Sequence, residues 1–172
     1  MNSRYNYLAV GVIGLLLFFS LSRSANAQDK GQAEVAKALQ GVTLSLEQGL
    51  SAAASGGTPI SGKFEVEDGK LQLSVYTMKG SEFSEAIVDH KTGRVTKTEK
   101  IEGGEDLAAA KAQSAAMAKT KQPLRAAVDR AIKANPGFRA VSVTPGLEGG
   151  TATAKLTLLQ GTTFKAVSEK LN

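Results

Sequence analysis

The stretch IVDHKTGRV, residues 87–95, joins two segments that alternate apolar and polar residues, and it contains the only histidine of the chain. Gly93 supplies the positive φ that a tight turn requires, and the Asp89 carboxylate can accept backbone N–H groups at the start of the turn. The segments FSEAIVD (83–89) and RVTKTEKI (94–101) have the two-residue period of β-strands. The stretch therefore predicts a turn between two antiparallel strands.

Upstream of this turn, helical patterns precede the strand patterns. Residues 29–41 are rich in Ala and Lys, and residues 45–57 begin with the capping-box pair Ser45 and Gln48. The period then changes to two over residues 63–76, which predicts strands with one face in water. The predicted order is two helices followed by antiparallel strands.

Downstream of the turn, the same order of patterns begins again. An Ala/Lys-rich segment (105–121) precedes a helical stripe (122–137), whose apolar positions align with those of the first pass at an offset of 78. Alternating segments come next, broken by the turn signals Pro145–Gly146 and Gly149–Gly150. No Asp-x-Lys-Thr-Gly turn follows the last alternating segment, 164–170. Strands that follow one another without intervening helices predict an α+β fold.

The alignment of the two passes sets the predicted domain boundaries. Gly80 and Phe83 match Gly161 and Phe164 at an offset of 81, so the third strand of the first pass corresponds to the last strand of the second. We predict a first unit over residues 28–101 and a second, truncated unit over residues 102–172.

The N-terminal residues 1–27 predict a signal peptide. Arg4 precedes an apolar run from Leu8 to Leu21, and Ala25-Asn26-Ala27 has the small-x-small pattern that signal peptidase accepts. The run is shorter than the about 20 residues that a membrane span needs. We therefore expect cleavage after Ala27 and a periplasmic or secreted chain, with an uncleaved N-terminal anchor as the alternative.

Composition excludes several chemistries. The chain has no cysteine, which rules out disulfides, a lipid anchor on cysteine, and thiolate ligands or nucleophiles. Residues 28–101 hold nine Lys/Arg and ten Asp/Glu, whereas residues 102–172 hold ten and six. The basic excess of the second half favours an acidic partner or an anionic envelope surface, or it belongs to ordinary solvated helix faces.

His90 is the single candidate for a catalytic base. No G-x-S-x-G elbow accompanies it, and the neighbouring Lys91 and Arg94 oppose its protonation. A zinc site needs three or four ligands and usually more than one His or Cys. Glu65 and Glu67 alternate with apolar residues, which indicates a solvated strand face in preference to a calcium site. We expect no catalytic residue, no cofactor and no metal, and a protein that is not an enzyme.

A nucleic-acid partner is not expected either. Asp129 lies four residues from both Arg125 and Lys133, as in ion pairs on a helix surface. Most aromatic residues outside the signal segment occupy core positions and do not form a stacking platform.

A helix opened by Ser-Leu-Glu (45–47), a strand, a hairpin and then Val88-Asp89-x-Lys91-Thr92-Gly93-x-Val95 resemble the PepSY domain. That family was first noted in propeptides of secreted thermolysin-type metalloproteases and in bacterial envelope proteins. The resemblance covers residues 43–101 well and residues 122–172 more weakly. It implies tandem PepSY-like α+β units without catalytic residues, in which Asp89, Thr92 and Gly93 form the turn.

These features predict an exported, non-catalytic module that binds a protein partner. The resemblance suggests inhibition or restraint of a peptidase. An edge strand can hold an extended segment by main-chain hydrogen bonds, and we expect that edge within residues 152–170. Membrane contact is then limited to the signal segment before cleavage. The alternative is a structural or stress-related envelope protein whose basic second half contacts anionic polymer or membrane.

Overall fold

The computed structural model describes residues 25–171, with side-chain burial from residue 30 onward. Within that range the chain forms four helices and a seven-stranded antiparallel sheet, so the predicted α+β class is confirmed. The predicted signal peptide lies outside the described residues except for Ala25–Ala27, which begin the first helix.

Two helices precede the first four strands, and two helices precede the last three. The elements are α1 (Ala25–Ala38), α2 (Leu46–Ala53), β1 (Thr58–Glu67), β2 (Lys70–Lys79), β3 (Glu82–Val88), β4 (Val95–Lys100), α3 (Gly104–Met117), α4 (Leu124–Ala134), β5 (Arg139–Glu148), β6 (Thr151–Gln160) and β7 (Thr163–Lys170).

The sheet has the strand order β4-β3-β2-β1-β5-β6-β7. Each strand pairs with the next strand of the sequence as a hairpin, except that β4 does not pair with β5. Instead, β1 pairs with β5 at the centre of the sheet. That central pairing joins Gly62 to Val143 and Lys63 to Ser142. The two groups of hairpins therefore form one sheet, and β4 and β7 are its edges.

Helices α2 and α4 lie side by side on one face of the sheet. The predicted capping box begins α2, because Ser45 Oγ accepts the Gln48 N–H at 3.2 Å and Gln48 Oε1 accepts the Ser45 N–H at 2.8 Å. Helix α2 packs so closely against β2 that a Cβ at position 49 would clash with the Leu73 side chain, so a glycine is required there. The stripe of α4 is buried in the same core, at Leu124, Ala127, Val128 and Ala131.

Helix α3 crosses the opposite face. Gln113 of α3 accepts the Ser61 hydroxyl at 2.8 Å, while the neighbouring Gly62 faces α2. Successive residues of a strand point to opposite faces, so α3 and α2 lie on either side of the sheet. The face of β1 predicted to be solvated, with Lys63, Glu65 and Glu67, is half-buried at Lys63 and Glu65 and exposed at Glu67, while Ser74 and Tyr76 of the neighbouring β2 are buried on the same face.

The predicted turn at Pro145–Gly146 is also wrong, since β5 continues through both residues to Glu148. Proline has no N–H and fits a strand only where no neighbour needs that donor. β5 pairs with β1 at Ser142 and Val143 but not at Pro145, so the missing donor leaves no broken pair. The chain reverses at Gly149–Gly150, as predicted.

Candidate binding edge of the sheet

The turn between β3 and β4 is built on one carboxylate. Asp89 Oδ1 accepts the N–H groups of Lys91 at 3.1 Å and Thr92 at 2.7 Å, and also the Thr92 hydroxyl at 2.8 Å. The Thr92 hydroxyl bond is the main cause that lowers the pKa of the Asp89 carboxyl. Gly93 has a φ of 69° and donates its N–H to the Asp89 carbonyl at 2.8 Å. The structure thus places Asp89, Thr92 and Gly93 together as the turn that returns the chain for β4.

His90 lies half-buried on that turn. Among residues 25–171, no group of three or more His, Cys, Asp or Glu residues is arranged to hold a metal ion. Within the same range, no helix is both long enough and apolar enough to cross a membrane.

Two shallow cavities lie at the ends of the sheet. One of about 300 Å³ lies where β3, β4 and α3 meet, beside Phe83 and Ile101. The other, of about 390 Å³, lies between α1 and the β5–β6 hairpin, beside Leu39 and Phe138. Neither cavity contains a residue that the sequence singled out for chemistry.

A polar network lies under α3 on the second face of the sheet. The Ser74 hydroxyl donates to Glu65 Oε1 at 2.6 Å, and the Tyr76 hydroxyl donates to Glu85 Oε1 at 3.2 Å. Burial raises the pKa of the Tyr76 phenol and of the Glu85 carboxyl. The sequence did not reveal this network, because alternation within a strand does not show which helix will cover its polar face.

β7 is the edge strand of the second group. It pairs with β6 without interruption from Gln160–Thr163 to Thr153–Lys170. Gly161, with a φ of 61°, opens the two-residue loop between the strands. The two residues that flank a loop of this kind form a hydrogen-bonded pair. Non-hydrogen-bonded and hydrogen-bonded pairs then alternate along the hairpin.

The Leu171 N–H donates to the Ala152 carbonyl at 2.9 Å, which agrees with this alternation. The residues whose N–H and C=O groups point away from β6 are therefore Phe164, Ala166, Ser168 and Lys170. Within residues 25–171, no strand pairs with this outer row.

β3 shows how the corresponding row is used in the first group. It comes after an equivalent loop opened by Gly80, with a φ of 64°. The Phe83 carbonyl accepts the Ile101 N–H at 2.9 Å, and β4 pairs along the outer side of β3. The chain itself therefore fills beside β3 the position that no strand of residues 25–171 fills beside β7.

The chain matches no protein-family model, and comparisons with curated proteins and with solved structures gave no match. Function is therefore inferred from the geometry and the charges of the chain itself.

Helix α4 holds one face of β7 in place. Arg130 forms an ion pair with Glu169 at 3.3 Å and donates to the Lys170 carbonyl at 2.7 Å. At the other end of the strand, Lys165 Nζ lies 2.6 Å from Asn135 Oδ1 and 5.8 Å from the centre of the Phe138 ring. Contacts with α4 and the residues after it thus anchor both ends of β7, and Arg130 occupies the outward carbonyl of Lys170. Within residues 25–171, no strand pairs with the outward groups of Phe164, Ala166 and Ser168.

Proposed function

We propose that the chain is an exported, non-catalytic protein-binding module that holds an extended segment of a protein partner as an added strand beside β7. The supporting observation is the outer row of backbone groups at Phe164, Ala166 and Ser168, to which Lys170 adds only its N–H because Arg130 occupies its carbonyl. In complexes of this kind, main-chain hydrogen bonds give affinity and alternate side chains give specificity.

The PepSY resemblance suggests a peptidase as the partner, and inhibition or restraint as the result. Under the proposal the chain acts in the periplasm or outside the cell after cleavage behind Ala27. It comprises two PepSY-like units, residues 28–101 and 102–172, and within residues 25–171 the second unit contributes three strands to the sheet. The repeated element order and the equivalent glycine loops at Gly80 and Gly161 support this division.

The form of β7 suits strand addition. Natural edge strands are usually protected by short length, by bulges or by charges that discourage pairing. β7 has eight residues and no bulge in its register with β6. Because α4 already holds β7 in an extended conformation, little further ordering of the protein is required when a segment binds.

The experiment removes one outward N–H. Ala166→Pro deletes a donor that the sheet does not use, so we expect binding of extended segments to be lost at a stability cost of about 1 kcal/mol or less. Segments selected from a displayed peptide library, and secreted metallopeptidases assayed for inhibition, are the probes. Binding measured by calorimetry should disappear in this variant.

Three control variants make the result specific. Ala166→Val changes the side chain but keeps the N–H, so binding should persist. Thr98→Pro removes an outward N–H from β4, the opposite edge, and should also leave binding intact. Val167→Pro removes an N–H that faces β6 and should destabilise the fold by about 3 kcal/mol or more. Selected segments that bind Ala166→Pro as well as the parent chain would refute the proposal.

Contact with anionic polymer or membrane is the second candidate, and the basic excess of residues 102–172 is the observation that favours it. Vesicles containing anionic lipid test it directly. Retention that falls steeply with salt would support this function. Under the strand-addition proposal, retention is weak and Ala166→Pro does not change it.

A further inference from the structure

The charges around β7 are one-sided. Glu169, the carboxylate of β7 itself, is already paired with Arg130 at 3.3 Å. Lys165 contacts only neutral groups, the Asn135 amide and the Phe138 ring. Across the described residues, Lys170 forms no ion pair. Both ends of β7 therefore carry a lysine for which no carboxylate partner is found among residues 25–171.

The first group of strands provides an internal template for charge across such an edge. There the inner strand β3 carries Glu82 and Glu85, and Lys97 of the added strand β4 pairs with Glu99 of its own strand at 2.8 Å, so the charge contact across the edge is made by Lys100. Lys100 Nζ lies 3.0 Å from Glu82 Oε1 across the two strands. The strand that corresponds to β3 in the second group is β7, and its unneutralised charges have the opposite sign.

The same template fixes a register. In the first group Ser84 lies opposite Lys100 and Ala86 lies opposite Thr98. Moving this pairing by the offset of 81 places Lys165 and Val167 at the positions of Ser84 and Ala86. An antiparallel segment of six residues then has its first residue opposite Lys170, its fourth opposite Val167 and its sixth opposite Lys165.

From these observations, which rest on the strand addition proposed above, we infer that the partner segment is acidic at both ends of a six-residue core. Its first and sixth residues are carboxylates that face Lys170 and Lys165, and its fourth is an apolar residue against the half-buried Val167. Opposite charges directly across antiparallel strands attract, and like charges repel. β4 of a second copy fits poorly, because in this register its Lys100 would lie opposite Lys165 and its Val95 opposite Lys170.

A pair of charge-matched probes tests this inference. Both are cyclised hairpins that present a Thr-based six-residue strand with Val at the fourth position. One carries Glu at the first and sixth positions, and the other carries Lys there. Binding to the purified chain is followed by backbone amide shifts and exchange. The Glu probe should bind at least about tenfold more tightly at low ionic strength, and the difference should shrink in about 1 M salt.

A charge swap provides the matched control. In the double variant Lys165→Glu, Lys170→Glu, the preference should reverse in favour of the Lys probe, and Ala166→Pro should bind neither. These substitutions leave the Arg130–Glu169 ion pair in place, so the fold provides an internal reference.

The outcomes separate the two proposals. Equal binding of both probes, lost in Ala166→Pro, would overturn the acidic preference and leave strand addition standing. Tight binding of both probes to Ala166→Pro, or no change at the β7 amides with either probe, would overturn strand addition as well. A free chain that sediments as a dimer with a protected Ala166 N–H would show that a second copy occupies the edge, against the inference.

Discussion

The two edges of the sheet, β4 and β7, are not equivalent strands, because β7 corresponds to β3 and β4 lies beyond β3. β4 has six residues, and the register of the β3–β4 pair is broken between Ile87 and Val88. β7 has eight residues and pairs with β6 in an unbroken register. A short strand beside an irregular pairing is a protected edge, whereas a long regular strand is a template for further pairing. The difference indicates that binding belongs to the β7 side.

The difference between the edges arises from the segment after each inner strand. After β3, the Asp89 turn reverses the chain so that β4 pairs with the outer row of β3. After β7, Leu171 is buried and continues the ladder with Ala152 of β6. The Asp89 turn, with Gly93 at positive φ, thus brings β4 onto the outer row of β3.

The largest expected effect tests whether both edges belong to one cooperative unit. Leu158 in β6 and Leu73 in β2 are fully buried on opposite sides of the central pairing. Leu158→Ala and Leu73→Ala should each lower the free energy of unfolding by about 2–5 kcal/mol. Denaturant unfolding should give one transition in both variants. Separate transitions, with protection lost near only one edge, would show that the comparison concerns two independent domains.

A smaller effect is expected at the turn that makes the edges differ. Asp89→Ala removes the acceptor for three bonds, so amides of β4 should exchange faster while β7 is unchanged. The pKa of Asp89 is lowered in the fold, so its stabilisation is present above the ordinary pKa and is lost as the pH falls through the folded value. The stabilities of the variant and the parent should therefore converge below about pH 4.

Faster exchange at β7 in Asp89→Ala, or a stability difference from the parent that persists at low pH, would contradict this role of the carboxylate. Asn at the same position is the matched control. Asp89→Asn keeps an oxygen acceptor without the charge, so β4 should stay protected while the pH dependence is lost.

The smallest effect is expected at His90, which shares the turn but none of the bonds to Asp89 Oδ1. His90→Ala should change the free energy of unfolding by no more than about 0.5 kcal/mol and leave both edges as they are. Loss of a hydrolytic activity of the purified chain in this variant would instead reveal an enzyme.

The sequence predicted the features that depend on neighbouring residues. The capping box of Ser45 and Gln48 and the α+β class are local or periodic signals, and both are confirmed. The interpretation of Pro145–Gly146 as a turn failed because a proline is harmless where the adjacent strand does not pair, and pairing is set by the fold. The burial of Tyr76 under α3 depends on a helix about thirty residues away, which no strand pattern contains.

For the candidate site, the sequence predicted an edge within residues 152–170. It did not show which backbone groups face outward, because that phase depends on the loop at Gly161 and on the bond from Leu171 to Ala152. Nor did it show that Glu169 is already paired with Arg130, which leaves the edge cationic.

Amide exchange at Ala166, compared with Val167 and Thr98, tests the central claim most directly. In the free chain, Ala166 and Thr98 should exchange fast and Val167 slowly, because only the Val167 N–H faces another strand. With the Glu probe bound, exchange at Ala166 should slow by about tenfold or more while Thr98 does not change. An Ala166 N–H that is already protected in the free chain, or a probe that protects Thr98 and leaves Ala166 exchanging fast, would contradict β7 as the binding edge.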